Sequence, residues 1–255
     1  MTTATPNAAT PAPQGQPRQC DGLDPSAVLG PTAMLDHLVV LAHSLDEGVA
    51  WCEARLGITP GPGGEHPLMG THNRLFSIAS AGFANAYLEI IAINPKASNA
   101  RPTGAQRWFD MDDEALREQV RRQGPQLIHW VARVPDVGAA VTTLNALGIE
   151  RGGVLAASRA TATGLLQWQI TVRTDGQRLF DGCLPTLIEW GAHHPSTSMA
   201  DSGVALQSLG LQHPQAALLQ SACHALGLPG LAITEGPARL GAQLSTPRGL
   251  ITLHS

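Results

Sequence analysis

Apolar positions along the chain repeat one grammar three times. Leu35 to Ala42 is a short, nearly continuous apolar run of the kind a buried strand shows, and from Ser44 onward the apolar positions between Leu45 and Leu56 recur at helical spacing before stopping at Gly57. Ser44 offers a side-chain oxygen to cap the helix start, and Gly57 has the backbone freedom that a helix end needs. The same signals return as a strand at Leu127 to Ala132 and a helix from Val137 to Leu147 closed by Gly148. They return again as a strand at Val204 to Leu211 and a helix from Pro214 to Leu226 closed by Gly227. His37, His129 and Gln207 stand at nearly the same distance before the three closing glycines, so they occupy equivalent positions. Further short β-like segments follow each helix, the last of them Tyr87 to Ala92, Thr186 to Trp190 and Leu250 to Leu253. Each repeat therefore reads βαβββ, and the predicted fold class is α+β.

The expected organisation is a disordered tail over 1–32, a first module with its connector over 33–125, a second module over 126–198 and a third module-like segment over 199–255. The tail is rich in Ala, Thr, Pro and Gln and lacks the basic start and apolar middle of a secretory signal. Charge narrows the partners. The 255 residues carry 16 Lys and Arg against 20 Asp and Glu, a net charge of −4, and the only adjacent basic pair is Arg121 with Arg122. There is no electrostatic footprint for nucleic acid or an anionic membrane surface, and no apolar run approaches the roughly 18 residues of a membrane span. Four cysteines (Cys20, Cys52, Cys183, Cys223) form no CxxC pair, which argues against a zinc ribbon or disulfide scaffold and points to a reducing cytoplasm. Gly61 to His66 lacks the third glycine of a dinucleotide fingerprint, and neither a Walker A lysine nor a GxSxG elbow is present. The expected partner is a small molecule, and the third segment leaves room for a homodimer contact or a covered sheet edge.

Chemistry enters through the repeat. Strand side chains alternate faces, so His37 shares a face with Leu35 and Val39, and Glu89 shares one with Tyr87 and Ile91. The second module offers His129 on its first strand and Glu189 on its last. Imidazole and carboxylate donors suit Ni²⁺, Zn²⁺, Co²⁺, Mn²⁺ or Fe²⁺, and four of them leave two positions for water or a chelating substrate. A metal-free pocket with His–Glu hydrogen bonds satisfies the same groups, because an inward Glu needs a cation, an imidazole or water to be tolerated. The third segment has Gln207 and Thr252 at these positions, a scaffold without ligands. The loop from Gly61 to Asn73 reads either as a Gly/Pro-rich hairpin or, through His66, His72 and Asn73, as a cover over a polar ligand. Trp108 and Phe109 in the connector, and Trp168, either line the pocket or pin their segments to the core. Trp130 and Trp190 follow proposed ligands and so are expected on the opposite face, and His43, His193 and His194 read as surface residues.

The first-strand His and last-strand Glu, repeated in two βαβββ modules, resemble the vicinal-oxygen-chelate superfamily, which includes glyoxalase I, extradiol dioxygenases, methylmalonyl-CoA epimerase and fosfomycin-resistance enzymes. The run from Pro62 to Leu75, preceded by Leu35-Asp-His-Leu and followed by Tyr87-Leu-Glu-Ile-Ile, looks like the glyoxalase-like domain subfamily, over residues 33 to 195. The resemblance implies two modules whose curved sheets face each other as an open barrel with the site inside. It places His37, Glu89, His129 and Glu189 on the metal-ligand positions of isomerase-type members. The implied function is metal-assisted lyase or isomerase chemistry on a substrate with vicinal oxygens, with Glu189, or alternatively Glu89, as the base. His72 and Asn73 would orient the substrate, and His66, Trp108 and Trp168 would bind it. A non-catalytic, ligand-sequestering protein is the competing reading, and an extradiol-type dioxygenase, which uses two His and one carboxylate, a further one.

Overall fold

A computed structural model of the chain describes residues 33–97, 101–161, 164–228 and 230–255; the expected tail and Cys20 lie outside them. The first repeat comprises β1 (Met34–Leu41), α1 (Leu45–Trp51) continuing as a π-helical turn (Cys52–Leu56), β2 (Glu65–His66), β3 (Thr71–Ser77) and β4 (Tyr87–Ile93). The Ser44 side chain accepts from the Glu47 N–H, and Gly57 ends the turn in the left-handed conformation at φ 79°, so both expected caps form. The second repeat comprises β5 (Gln126–Arg133), α3 (Val137–Ala146), β6 (Gly153–Thr161), β7 (Gly164–Val172) and β8 (Thr186–Trp190). Between them lies α2 (Glu114–Gln123), capped by the Asp113 side chain. This helix falls in the stretch that the sequence reading treats as a connector.

Among the described residues these strands form one eight-stranded sheet in the order β2-β3-β4-β1-β5-β8-β7-β6. The two facing sheets expected from the resemblance are thus halves of one curled sheet, joined where β1 and β5 pair antiparallel. Each first strand also pairs parallel with the last strand of its own repeat, β1 with β4 and β5 with β8. The curl brings the two sheet edges to opposite sides of one cavity, because residues of both β2 and β6 line it.

The strands carry side chains on two faces, and each face has its own core. The outer face, with Leu38, Val40, Leu88, Ile90, Trp130 and Leu187, packs under α1, α3 and the C-terminal segment. The inner face, with Val39, Ile91, Val131, Ile170 and Ile188, is plugged from below by Trp108, Phe109, Met111 and Val120 of the inter-repeat segment and α2. The C-terminal segment comprises β9 (Ala205–Gln212), α4 (Ala216–Ala225), β10 (Ala232–Thr234), β11 (Arg239–Thr246) and β12 (Gly249–His254). It keeps the βαβββ order of elements but not the pairing of the other two. Its sheet runs β10-β9-β11-β12, with the first strand beside β10 and β11 rather than beside the last strand. Leu206, Leu209, Leu219, Leu240 and Leu244 join the outer core, so the segment is a cover for the back of the main sheet.

Gly48 shows how tightly α1 is laid on that sheet, since a Cβ there would collide with the side chain of buried Ile90. Replacing a helical Gly by Ala ordinarily stabilises by about 1 kcal/mol, whereas overfilling a packed core costs about 1–3 kcal/mol. Gly48→Ala is therefore expected to lower the free energy of unfolding in a urea titration by about 1 kcal/mol rather than raise it.

Candidate functional site

The curled sheet encloses a polar floor beside an apolar chamber. The floor is lined by His37 and Glu89 of β1 and β4, Asn73 of β3, His66 of β2, Arg159 of β6 and Trp190 of β8. The chamber has a volume of about 420 Å³ and runs between Leu68, Met69, Leu155, Trp168 and Val172, with Trp108 shared by both. Trp108 is held by the connector's backbone. Phe109 and Asp110 adopt φ of 61° and 56°, a region costly for residues with a Cβ, and the Arg178 guanidinium anchors the Asp110 carboxylate at 2.8 Å.

Five polar side chains, Asp36, His37, Glu89, Asn73 and His66, form a connected chain. Asp36 accepts hydrogen bonds from His37 Nδ1 at 2.7 Å, from His194 Nε2 at 2.9 Å and from Trp190 Nε1 at 2.9 Å. The other nitrogen of His37, Nε2, lies 3.6 Å from Glu89 Oε2. The Asn73 Nδ2 amide donates to Glu89 Oε1 at 2.6 Å, while its Oδ1 accepts the Gly64 N–H at 2.7 Å. Asn73 Nδ2 also lies 3.3 Å from His66 Nε2, and His66 Nδ1 lies 3.0 Å from Thr71 Oγ1. With Asn73 held as a donor, His66 Nε2 must accept and its Nδ1 must carry the proton.

The electrostatics agree with those roles. Burial pushes the Asp36 carboxyl up, but the hydrogen bonds and positive character of His194 and His37 outweigh it and hold the group well below the ordinary carboxylate range. Asp36 is therefore an anion that favours the Nδ1–H form of His37. Burial, supplemented by the charge of Arg159, brings His66 down to about 4, although Glu89 opposes this. His66 is neutral at pH 7. Tyr87, stacked on His37 with ring centroids 4.5 Å apart, has its phenol pushed well above 10 by burial and by Asp36 and Glu89, so it stays protonated.

His37, Glu89, His66, Asn73, Trp108 and Trp168 are thus brought together, and three other candidates are not. Glu189 points away from the pocket, its Oε2 accepting the Val137 N–H at 2.8 Å at the start of α3. Its strand register explains this. Val131, which faces inward, pairs with Thr186, so Thr186, Ile188 and Trp190 face inward and Glu189 outward. Trp190, expected on the opposite face, consequently lines the site. His129 faces inward but is fully buried beneath Phe109. Its Nδ1–H donates to the Gly182 carbonyl at 3.1 Å and its Nε2 accepts the Thr186 N–H at 3.2 Å. Burial and the nearby charges of Arg151 and Arg178 keep it neutral, and it is a satisfied core histidine. His72 lies on the far side of β3 from Asn73 and lines a separate crevice with His43 and Arg117. His194, expected at the surface, reaches Asp36.

Asp36 is the residue that strand alternation hides. A bulge between Leu35 and His37 in the pairing with β5 turns consecutive residues to one side, which sets Asp36 behind His37. A divalent metal held by His37, Glu89, His129 and Glu189 does not fit this arrangement, because both His129 nitrogens are committed to the protein and Glu189 caps a helix. Among the described residues no three His, Cys, Asp or Glu side chains are arranged to hold a metal ion.

Comparison with known proteins agrees with the fold. Residues 35–227 match a family model described as a glyoxalase-like domain. The chain belongs to that family. The matched range contains every residue of the polar floor. No curated protein matches the chain. A hypothetical protein from Staphylococcus aureus shares the fold at 15% identity and a TM-score of 0.51, over 87% of this chain and 85% of that one. Methylmalonyl-CoA epimerase from Streptomyces coelicolor, solved with 2-nitronate-propionyl-CoA, aligns at 17% identity and a TM-score of 0.39 over 65% of this chain and 99% of its own. The Mycobacterium tuberculosis epimerase aligns at 16% and 0.34 over 67% and 92%. Among the described residues, no helix of this glyoxalase-like protein is long and apolar enough to cross a membrane.

Two stability measurements check the assignments. The lowered pKa of Asp36 makes its contribution complete above its ordinary value of 3.8 and lost as pH falls below that. Asp36→Asn should therefore cost on the order of 3 kcal/mol at pH 7 by urea unfolding, with the gap to the wild type narrowing below about pH 4. Glu189→Ala should cost about 1 kcal/mol, as loss of a helix-start acceptor does.

Proposed function

We propose that this glyoxalase-like protein is an enzyme that moves a proton at a carbon beside a carbonyl, in a lyase or isomerase reaction on a small substrate with neighbouring oxygens. The supporting observation is the juxtaposition of Glu89 Oε2 and His37 Nε2 at 3.6 Å, each held from behind by a separate partner, Asn73 and Asp36. Glu89 Oε1 is occupied by the Asn73 amide, which leaves Oε2 to accept a proton from carbon. As the C–H bond breaks, its electron pair moves onto the carbonyl oxygen. A proton carried on His37 Nε2 stabilises that oxygen or is delivered to it. Asp36, an anion behind Nδ1, fixes the orientation of the ring and the proton on Nδ1, as a carboxylate behind a catalytic histidine does. Return of a proton to a different face or atom gives an isomer, and loss of a group from the neighbouring carbon gives a lyase product. Tyr87 on one side of His37 and the Trp168–Trp190 pair, with centroids 5.6 Å apart, exclude water from the reacting atoms.

The competing reading is a binding protein that only sequesters its ligand, favoured by the three tryptophans around the cavity. Solvent exchange separates the two. A panel of 2-hydroxy and 2-oxo acids, esters and thioesters is incubated with the protein in D₂O with a chelator present, and deuterium at the carbon beside the carbonyl is read by NMR. Exchange of at least one compound is expected, reduced about 10²–10⁴-fold in Glu89→Gln and in His37→Asn. Exchange that persists at the wild-type rate in Glu89→Gln, or that disappears with chelator and returns on adding Ni²⁺, Zn²⁺ or Mn²⁺, overturns the mechanism. Ligand binding retained with no exchange in any compound favours the sequestering protein.

A further inference from the structure

Two hydrogen-bond donors in the cavity have no acceptor among the described residues. Nη1 of Arg159 and Nε1 of Trp108 are both buried without a partner, and both residues line the polar floor. A buried donor left unpaired costs about 1–3 kcal/mol, more when it is charged, so such groups are retained where something else pairs with them. Arg159 forms no ion pair among the described residues, whereas Arg107, Arg173 and Arg178 each hold an aspartate. Its guanidinium lies over Gly64, where any side chain would displace it. The loop that carries His66 thus leaves room for this cation.

The adjoining chamber is apolar and open to the surface. Its rim carries Leu68 and Leu155, which are 47% and 38% exposed, and its wall carries Met69, Trp168 and Val172. At about 420 Å³ it is of the size that takes a drug-sized ligand. We propose that the ligand is an amphipathic carboxylic acid, with its carboxylate on Arg159 and the Trp108 indole N–H and its apolar chain or ring in this chamber. The inference rests on the proton-transfer reading for what happens next and adds the chemical class of the substrate. One guanidinium with one indole N–H suits a singly charged, planar head. Glu89, on the same floor and already paired with Asn73 and His37, repels a carboxylate. The acid is therefore oriented with its head on Arg159 and its oxygen-bearing carbon toward Glu89.

The test is isothermal titration calorimetry of the whole protein with 4-phenylbutyrate, 4-phenylbutan-1-ol and acetate. The aromatic acid is expected to bind at least about tenfold more tightly than the alcohol, and acetate not measurably, since a charged pair and an apolar tail are both required. Arg159→Gln should remove the preference by weakening the acid while leaving the alcohol unchanged. Leu155→Asp should weaken both. Equal affinity for acid and alcohol in the wild type, or a preference that survives Arg159→Gln in protein with an unchanged urea midpoint, overturns the inference. Glu89→Gln separates it from the proton-transfer reading. That variant should keep or increase the acid preference while losing exchange, so exchange without acid preference overturns only the substrate class, and acid preference without exchange only the chemistry.

Discussion

A carboxylate with almost no access to water organises the two repeats around one point. Asp36 sits on the strand that joins them, and burying its charge is tolerable only with strong donors on every side. The donors come from different parts of the chain: His37 from the same strand, Trp190 from the end of the second repeat, and His194 from the segment that leaves it. Satisfying Asp36 therefore closes the second repeat onto the first. It also sets the ring plane and proton position of His37, so one interaction both closes the frame and orients a side chain of the polar floor.

The two repeats have diverged in what they do with the same framework. In the first, β1 and β4 present His37 and Glu89 to an open floor. In the second, β5 and β8 place His129 under the connector and turn Glu189 onto the start of α3, where it meets the Val137 N–H and the positive end of a helix. His129 and Glu189 of the second repeat hold the frame, whereas His37 and Glu89 of the first line the polar floor. What the second repeat contributes to the pocket is aromatic and cationic: Trp168, Trp190 and Arg159. The C-terminal segment takes the element order a step further from chemistry, since its strands pair differently and its apolar side chains back the main sheet.

The fold was largely legible in the sequence because its signals are local. Ser44, Gly57, Gly148 and Gly227 mark helix ends through hydrogen bonds and φ angles confined to a few residues, and the apolar periodicity between them placed strands and helices to within a residue or two. Helix α2 was missed because it is mostly polar, with only Leu116 and Val120 turned to the core. The candidate site was legible in part. His37 and Glu89 follow from strand alternation within one repeat, and His66 and Asn73 from the donor-rich run Gly61 to Asn73, which the structure folds as β2 and the start of β3 beside them.

What the repeat could not convey is register across distance. Glu189 matches Glu89 in residue type and in its place near a strand end, yet the parity of its strand is set by pairing with β5, more than fifty residues away in the chain. Asp36 depends on a bulge that appears only when β1 meets β5, and His194 on how the chain returns after β8. Periodicity and caps are properties of neighbouring residues, so the sequence alone determined most of the elements, the family, and four residues of the first repeat that meet in the cavity, His37, Glu89, His66 and Asn73. Which way a residue faces at a bulge or a long-range pairing depends on the partner strand, so the Asp36 network, the burial of His129 and the outward turn of Glu189 were decided by the tertiary structure.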